Sequence, residues 1–422
     1  MKPISLSLAV VISLATLLGA QSTSNGVLIL THANVIDGLG SSVLMNATVV
    51  VRDGRIERVT EGSSEASAAS SAGAADAEVI DLQGKYLLPG LIDAHVHLRG
   101  IRNAEKALRS GVTTARSMGT AHFTDVGLRE LGREGAIDSP EILAAGYHVR
   151  PTPSSELFID EPGLADLMAG VRGPDAFRRV TEVNIRHRVD WIKITSTERA
   201  GLSETDPRKQ TMSEEEIAAV VDEAGRSGIP VAAHAHGDEG ARAAVRAGVR
   251  SIEHGTYLTT TTLELMKEKG TFLVPTVAVV TDLAAPGGDY DDPFLQVRGR
   301  HMLTRLREVV REAHAMQIPI AAATDTGFGP EGVLRLQHEV EELVKCGLSP
   351  MEAIRAATAT AARLLGVDGR TGTIRSGLEA DLIAVERNPL EDIVALQDIL
   401  LVVHNGKVVV DRTSFALPSS SE

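Results

Sequence analysis

Six side chains set far apart along the chain are of the types that hold metal ions: His95, His97, Lys193, His234, His254 and Asp325. Each stands at or near the end of a short apolar run. The runs are GLIDAHVHL (90–98), DWIKIT (190–195), IPVAAHAH (229–236), RSIEHG (250–255) and IPIAAATDTG (318–327). Charged or imidazole groups at such strand ends are costly to bury unless something there uses them. In a parallel (β/α)8 barrel the strand ends converge on one mouth, and catalytic residues come from several strands. Imidazoles, an amine and a carboxylate meeting there form the donor set of a two-metal hydrolytic site.

His95 and His97 are two apart on an apolar strand, so the period of two points both rings to one face. Both can then hold one cation; the alternative is a pair of half-buried histidines satisfied by backbone. Lys193 lies between Ile192 and Ile194 in a strand that must be buried. Burial favours the neutral amine. A neutral amine can add carbon dioxide and become a carbamate, whose two oxygens can bridge two cations. The alternative is a lysine reaching along the strand to Asp190 or Glu198. His234 and His254 offer imidazole nitrogen to a second metal. His236 shares the face of His234, as a third ligand or a substrate contact. Glu253 is placed to orient a ligand ring from behind. Asp325 suits a general base that becomes the acid for the leaving amine; the alternative is an N-cap for a following helix.

The elements that must position these groups are legible as alternating strands and helices. Candidate barrel strands are Leu91–Leu98, Thr113–Arg116, Ile142–Ala145, Trp191–Thr195, Val231–His234, Ser251–His254, Phe272–Pro275 and Ile320–Thr324. Helical patterns cover Ser213–Ser227, which opens on a capping-box pattern, Leu334–Cys346 and Pro350–Leu365. An open doubly wound sheet is disfavoured because no Gly-rich phosphate turn follows the first strand. Both chain ends instead read as hairpins, with turns at Asp53-Gly54 and Asn405-Gly406. The fold class expected is α/β: a (β/α)8 TIM-like barrel over 86–371 and a small composite β-sandwich from 21–85 and 372–415. Glu61–Ala77 reads as a loose loop.

The chain has 422 residues, is 43% hydrophobic and only 3% aromatic, and carries a net charge of −14. An aliphatic core suits parallel strands buried on both faces. The negative charge argues against a nucleic-acid partner. Residues 1–20 follow the pattern of a secretory signal peptide: Lys2, a mostly apolar Ile4–Leu18, then Leu18-Gly19-Ala20. Export and cleavage are the expectation. No other uninterrupted apolar run is long enough to span a membrane. The single Cys346 permits neither an internal disulfide nor a Cys-based zinc site.

The set His95/His97, Lys193, His234, His254 and Asp325, in this order and strand placement, resembles the binuclear metal-dependent amidohydrolase superfamily. Its C-terminal pattern is present at Ala357-Thr358 through Gly366, then Gly372-Thr373-Ile374, Gly377 and Glu379–Ile383. AAHAHG (232–237), SIEHGTY (251–257) and ERNPLEDI (386–393) are similar to a branch holding Xaa-Pro dipeptidase-like enzymes, imidazolonepropionase-like enzymes and ochratoxin-hydrolysing amidases. The resemblance implies that His95 and His97 hold the more buried metal and His234 and His254 the more exposed one. A carboxylated Lys193 would bridge them, and Asp325 would ligate the buried metal and shuttle the proton. Two divalent ions, zinc by default, would share a hydroxide that attacks the scissile carbonyl. Implied substrates are a dipeptide, an N-acyl amino acid or an amide such as ochratoxin A. A cyclic amide of the imidazolone or hydantoin type is the second reading, and a non-catalytic binding protein the third. His148 is expected to touch the substrate carbonyl; Tyr257 and Arg199 are candidates for its carboxylate, each weighed against a solvated loop role. A homo-oligomer is expected.

Overall fold

The computed structural model describes residues 26–40, 42–62, 77–287, 291–330 and 332–415. The expected signal peptide lies outside the described residues, as does most of the Glu61–Ala77 loop. Among the described residues no helix is long and apolar enough to cross a membrane.

Strands from both chain ends build one eight-stranded sheet. It contains β1 (Val27–Val35), β2 (Leu44–Arg52), β3 (Arg55–Glu61), β4 (Glu78–Asp81) and β5 (Tyr86–Pro89). From the other end come β13 (Leu382–Val385), β14 (Ile399–His404) and β15 (Lys407–Asp411). The order is β15-β14-β13-β5-β1-β2-β3, with β4 paired to β1. Strand β5, which lies just on the barrel side of the expected boundary at 86, hydrogen-bonds to β1 and β13 in this sheet. One core cluster takes Val49 and Val51 from one arm and Leu382 and Leu401 from the other. The two hairpin turns also meet. A Cβ on Gly54 would lie 2.9 Å from the Asn405 carbonyl oxygen, so only glycine fits there.

The middle of the chain is a TIM-barrel-like α/β unit. Its strands are β6 (Leu91–Val96), β7 (Val112–Ser117), β8 (Glu141–Ala144), β9 (Ile192–Thr195), β10 (Val231–Ala235), β11 (Ser251–His254) and β12 (Phe272–Val274). They fall into two parallel sheets, β6-β7-β8 and β12-β11-β10-β9. An isolated parallel bridge, Val149 to Ile194, joins one pair of sheet edges. On the other side residues 320–326 lie between β12 and β6. Leu273 donates to Pro319 and accepts from Ala321, at 3.0 Å each. His95 accepts from Asp325 at 2.8 Å and His97 donates to Thr326 at 2.9 Å.

Two expectations change. Ile320–Thr324 is not a regular strand but a bridged irregular segment. Pro319 has no N–H, Thr324 donates to Asp93 through both backbone and hydroxyl, and Asp325 adopts φ 55°. Likewise Pro350–Leu365 is two helices, Pro350–Ala356 and Ala359–Leu365. The break frees the Ala356 and Ala357 carbonyls to accept from Ala322 and Ile92, both at 2.8 Å. Tertiary hydrogen bonds under the barrel thus override the helical periodicity. The capped helix is as read: Glu214–Arg226, with Ser213 closing a capping box with Glu216. The helix expected at Leu334–Cys346 runs Leu336–Lys345. Cys346 is buried, and burial pushes its thiol up to about 12.

Candidate metal centre

The ends of β6, β9, β10 and β11, together with the 320–326 segment, bring all six candidate ligands to one cleft. Two groups form. In one, ligand atoms of His95, His97 and Asp325 lie within 4.8 Å of one another; in the other, those of His234, His236 and His254 do. His236 therefore stands with the ligand histidines. The His95 and His254 ring centroids are 5.4 Å apart, so the two groups are neighbours.

The hydrogen bonds fix which nitrogens face inward. His95 Nδ1 is 2.8 Å from Glu253 Oε2, and His97 Nδ1 is 2.9 Å from the Gly119 carbonyl. A carbonyl or carboxylate oxygen only accepts, so each Nδ1 carries a proton. In the neutral rings both Nε2 atoms are then bare. They point at one oxygen: Asp325 Oδ1 is 3.4 Å from His95 Nε2 and 3.1 Å from His97 Nε2. Three acceptor atoms converging in this way fit a cation between them. At the other group, His234 Nε2 donates to the Glu198 carbonyl at 3.3 Å and leaves Nδ1 bare. His254 Nδ1 faces Thr276 Oγ1 at 2.8 Å, and His236 Nδ1 faces Thr256 Oγ1 at 2.9 Å. All donors are nitrogen or oxygen, which suits zinc and its neighbours.

Burial sets the protonation states. It holds His95, His148, His234 and His254 well below the ordinary imidazole range, with Lys193 adding to the effect at each. Burial also takes His236 down to about 3. Neutral imidazole is the form that binds metal. Burial lowers Lys193 to about 8, against the pull of Glu253 and Asp325. Its Nζ lies 3.2 Å from His95 Nε2. The two acids considered as its partners are taken elsewhere: Asp190 by Arg129 and Glu198 by Lys209. Burial pushes Asp325 up, but His95, His97 and Lys193 outweigh it and hold the carboxyl below the usual range. Among the described residues no helix begins after Asp325 until Leu336, so the N-cap alternative falls.

Three of these residues hold positive φ without being glycine: His254 (74°), Thr276 (50°) and Asp325 (55°). Such strain persists only where surrounding contacts over-determine it. His148 lines the cleft, its ring centroid 5.8 Å from that of His97. Gly119 makes room for it, since a Cβ there would sit 1.9 Å from the His148 ring. Arg199 lines the cleft and both hollows beside it. Tyr257 does not line the central cleft; its ring faces His301 at 5.9 Å. Its backbone N–H donates to the His236 carbonyl, which fixes the main chain, and its ring packs partly buried against the core.

Sequence reading missed several residues. Arg150 lines the hollow beside the cleft, and its buried Nε has no partner. Burial and the nearby Arg199 both lower its pKa. Arg150 follows His148 by two, a spacing that could have flagged it. Val279, Val280 and Leu283, on the helix Val277–Ala284, supply an apolar wall; nothing in their types sets them apart from core.

Residues 86–409 match the model of the Amidohydrolase family. The chain is 30% identical over 362 residues to "Ochratoxinase" of Aspergillus niger, covering 76% of this chain and 74% of that one. It is 26% identical over 385 residues to "Imidazolonepropionase" of Chromobacterium violaceum, covering 82% and 86%. Among solved structures it resembles a Xaa-Pro dipeptidase with methionine bound in the active site. That likeness has a TM-score of 0.77 and 28% identity, over 90% of this chain and 99% of that one. Members of the family typically depend on two metal ions, and the histidine-rich cluster here fits that requirement. The chain belongs to the Amidohydrolase family, hydrolases that act on amide bonds.

Proposed function

We propose that this chain is an exported, two-metal amidase that releases an amino acid from a dipeptide or N-acyl amino acid, with amides such as ochratoxin A in the same substrate class. The observation that carries this reading is the pair of adjacent ligand groups, His95/His97/Asp325 and His234/His236/His254, with Lys193 beside them. The ions, taken as zinc, would supply an activated water and polarise the scissile carbonyl.

The chain's own residues do the rest. His95, His97 and Asp325 would hold one ion and His234 and His254 the other. Lys193, with its pKa near 8, is nucleophilic enough to add carbon dioxide. Its nitrogen forms the new N–C bond, a proton leaves to solvent, and the resulting carbamate offers two oxygens. Asp325 takes a proton from water and passes it to the departing nitrogen. His148, neutral and lining the cleft, is placed to steady the substrate carbonyl oxygen by donating an N–H. The guanidinium groups of Arg150 and the exposed Arg199, which line the hollow beside the cleft, would bind the carboxylate of the leaving amino acid. The wall of Val279, Val280 and Leu283 suits an apolar acyl group or side chain.

The same reading includes an eight-stranded barrel closed through Val149 and residues 320–326, and a composite β-sandwich folded from the terminal sheet. It keeps the division into 21–85 plus 372–415 and 86–371, with β5 moved to the terminal part. Export rests on the leader pattern of residues 1–20. A homo-oligomeric state is kept as part of the proposal.

The test is amino-acid release from a panel of Xaa-Pro dipeptides, other dipeptides, N-acyl amino acids and ochratoxin A, each beside its carboxamide-capped form. Zinc-loaded enzyme should cleave the free acids much faster than the capped forms, and a chelator should stop it. Equal cleavage of capped and free substrates would remove the carboxylate clamp. Failure on every linear amide, with two metals bound, would favour the cyclic-amide reading.

A further inference from the structure

A second cationic side chain, besides Lys193, lies inside a barrel strand. Arg116 of β7 is completely buried, its guanidinium carbon 4.4 Å from the centre of the Trp191 ring. Its Nε donates to the Ala94 carbonyl at 2.6 Å, and its Nη1 to Ser251 Oγ at 3.2 Å. Its Nη2 reaches both oxygens of Glu253, at 2.9 and 3.0 Å. Glu253 is equally buried, and Ser251 Oγ donates to its Oε1 at 2.5 Å. What remains of Glu253 faces one group, His95 Nδ1 at 2.8 Å.

An ion pair this deep is costly to desolvate, and apolar side chains of similar volume would serve packing as well. Its geometry suits a different task. The guanidinium and hydroxyl occupy Oε1 and one side of Oε2, so the carboxylate cannot turn away. The free side of Oε2 can only accept. His95 is thereby restricted to the tautomer with hydrogen on Nδ1, and its bare Nε2 is aimed at Asp325 Oδ1. Ala94, the other acceptor of Arg116, immediately precedes His95 in β6, so the same guanidinium also fixes the backbone that carries the ring.

We propose that Arg116, acting through Glu253, is a positioning residue of the metal centre: the pair sets the tautomer and aim of His95 and so tunes the ion held with His97 and Asp325. This rests on the two-metal reading above. Truncating one partner of a buried pair strands the other's charge. Supporting groups behind a ligand ring are worth about 10–100-fold in metal affinity.

The experiment uses the full chain, stripped by chelator and titrated with zinc by calorimetry, with Tm of the metal-free protein measured in parallel. Wild type should bind two zinc ions. Glu253→Gln should weaken one of the two by about 10–100-fold and leave the other within a few-fold. Ser251→Ala should weaken the same ion by a few-fold. The ¹⁵N imidazole spectrum of metal-free Glu253→Gln should show His95 shifted away from the Nδ1–H tautomer, because an amide can present N–H to Nδ1. Arg116→Met should follow Glu253→Gln; should it fail to fold, the other two variants carry the test. Wild-type zinc affinities and an unchanged His95 tautomer in folded Glu253→Gln would overturn the proposal. So would equal losses at both ions that merely track a lowered Tm. A wild-type protein that binds no zinc would instead sink the two-metal reading, and this inference with it.

Discussion

The terminal sheet and the mouth of the barrel both contain residues at positive φ, and they use them differently. In the sheet they fall mostly at turns, as at Asp53, Gly54, Gln83, Gly84, Asn405 and Gly406, with His32 and Asn46 where the register of β1 and β2 shifts. At the mouth they include His254, Thr276 and Asp325, outside any hairpin turn, and for the β-branched Thr276 the conformation is plainly unfavourable. Buried charge differs in degree. Around the sheet's aliphatic core only Lys85 and Asp381 are buried among the described residues, held by Glu386 and by Thr371 and His404. The barrel interior holds Arg116, Lys193, Glu253 and Asp93, all buried. In the sheet the departures sit at turns and register shifts that strand pairing accounts for; at the mouth they fall on side chains that converge on one cleft.

That contrast can be broken most sharply at Asp325. Asp325→Asn keeps the size and removes the base; kcat should fall by about 10²–10⁴-fold while most of the bound metal stays. An unimpaired rate would show that another group moves the proton. Lys193→Ala should lose metal and turnover together, and added short-chain carboxylic acids should restore part of both. Full turnover without the lysine would leave its burial unexplained. Next in size, Arg150→Ala should raise KM about 10–100-fold for substrates with a free carboxylate, the worth of a charged hydrogen bond. Carboxamide-capped substrates should show no change, and an equal rise for both would reduce Arg150 to a structural role.

Smaller effects are expected away from the mouth. Glu339 is buried, accepts from Ala278 at 2.7 Å, and keeps Oε1 without a partner. Burial pushes its pKa up to about 8 from an ordinary 4.5. The folded state therefore holds this proton while the unfolded chain has lost it, so stability falls as pH rises from about 4.5 to about 8. Glu339→Gln should flatten that stretch of the Tm-against-pH curve and raise Tm at pH 8. A parallel curve would show that the carboxyl is not responsible. In the terminal sheet, Gly54→Ala should cost about 1–2 kcal/mol from positive φ alone, plus the clash with Asn405. It should leave kcat and KM untouched, and a change in either would couple the sheet to the mouth.

Most of the site was legible because its chemistry contradicts its surroundings. A lysine between two isoleucines and a histidine pair at the end of an apolar strand are conflicts visible in one dimension. Arg116 carries the same signal in Val112–Ser117 and was readable in the same way. Arg150 was harder, because it lies in a loop where arginine is ordinary. What remained hidden depends on hydrogen bonds between distant segments. The break at Ala357-Thr358 exists because two carbonyls are claimed by Ile92 and Ala322, and periodicity along one helix contains no trace of that. The irregular 320–326 segment is set by the Asp93 side chain, some 230 residues earlier (|i−j| 231). Tyr257, absent from the lining of the central cleft, shows the same limit: being three residues from a ligand says nothing about what a ring packs against.

The most direct measurement is a zinc titration of chelator-stripped protein, following bound metal and amino-acid release from a good dipeptide or N-acyl substrate in the same samples. Turnover should be absent at the start, rise with metal, and level off at two ions per chain. Full turnover in the stripped protein, or saturation of binding with no hydrolysis of any linear amide, would contradict the two-metal amidase.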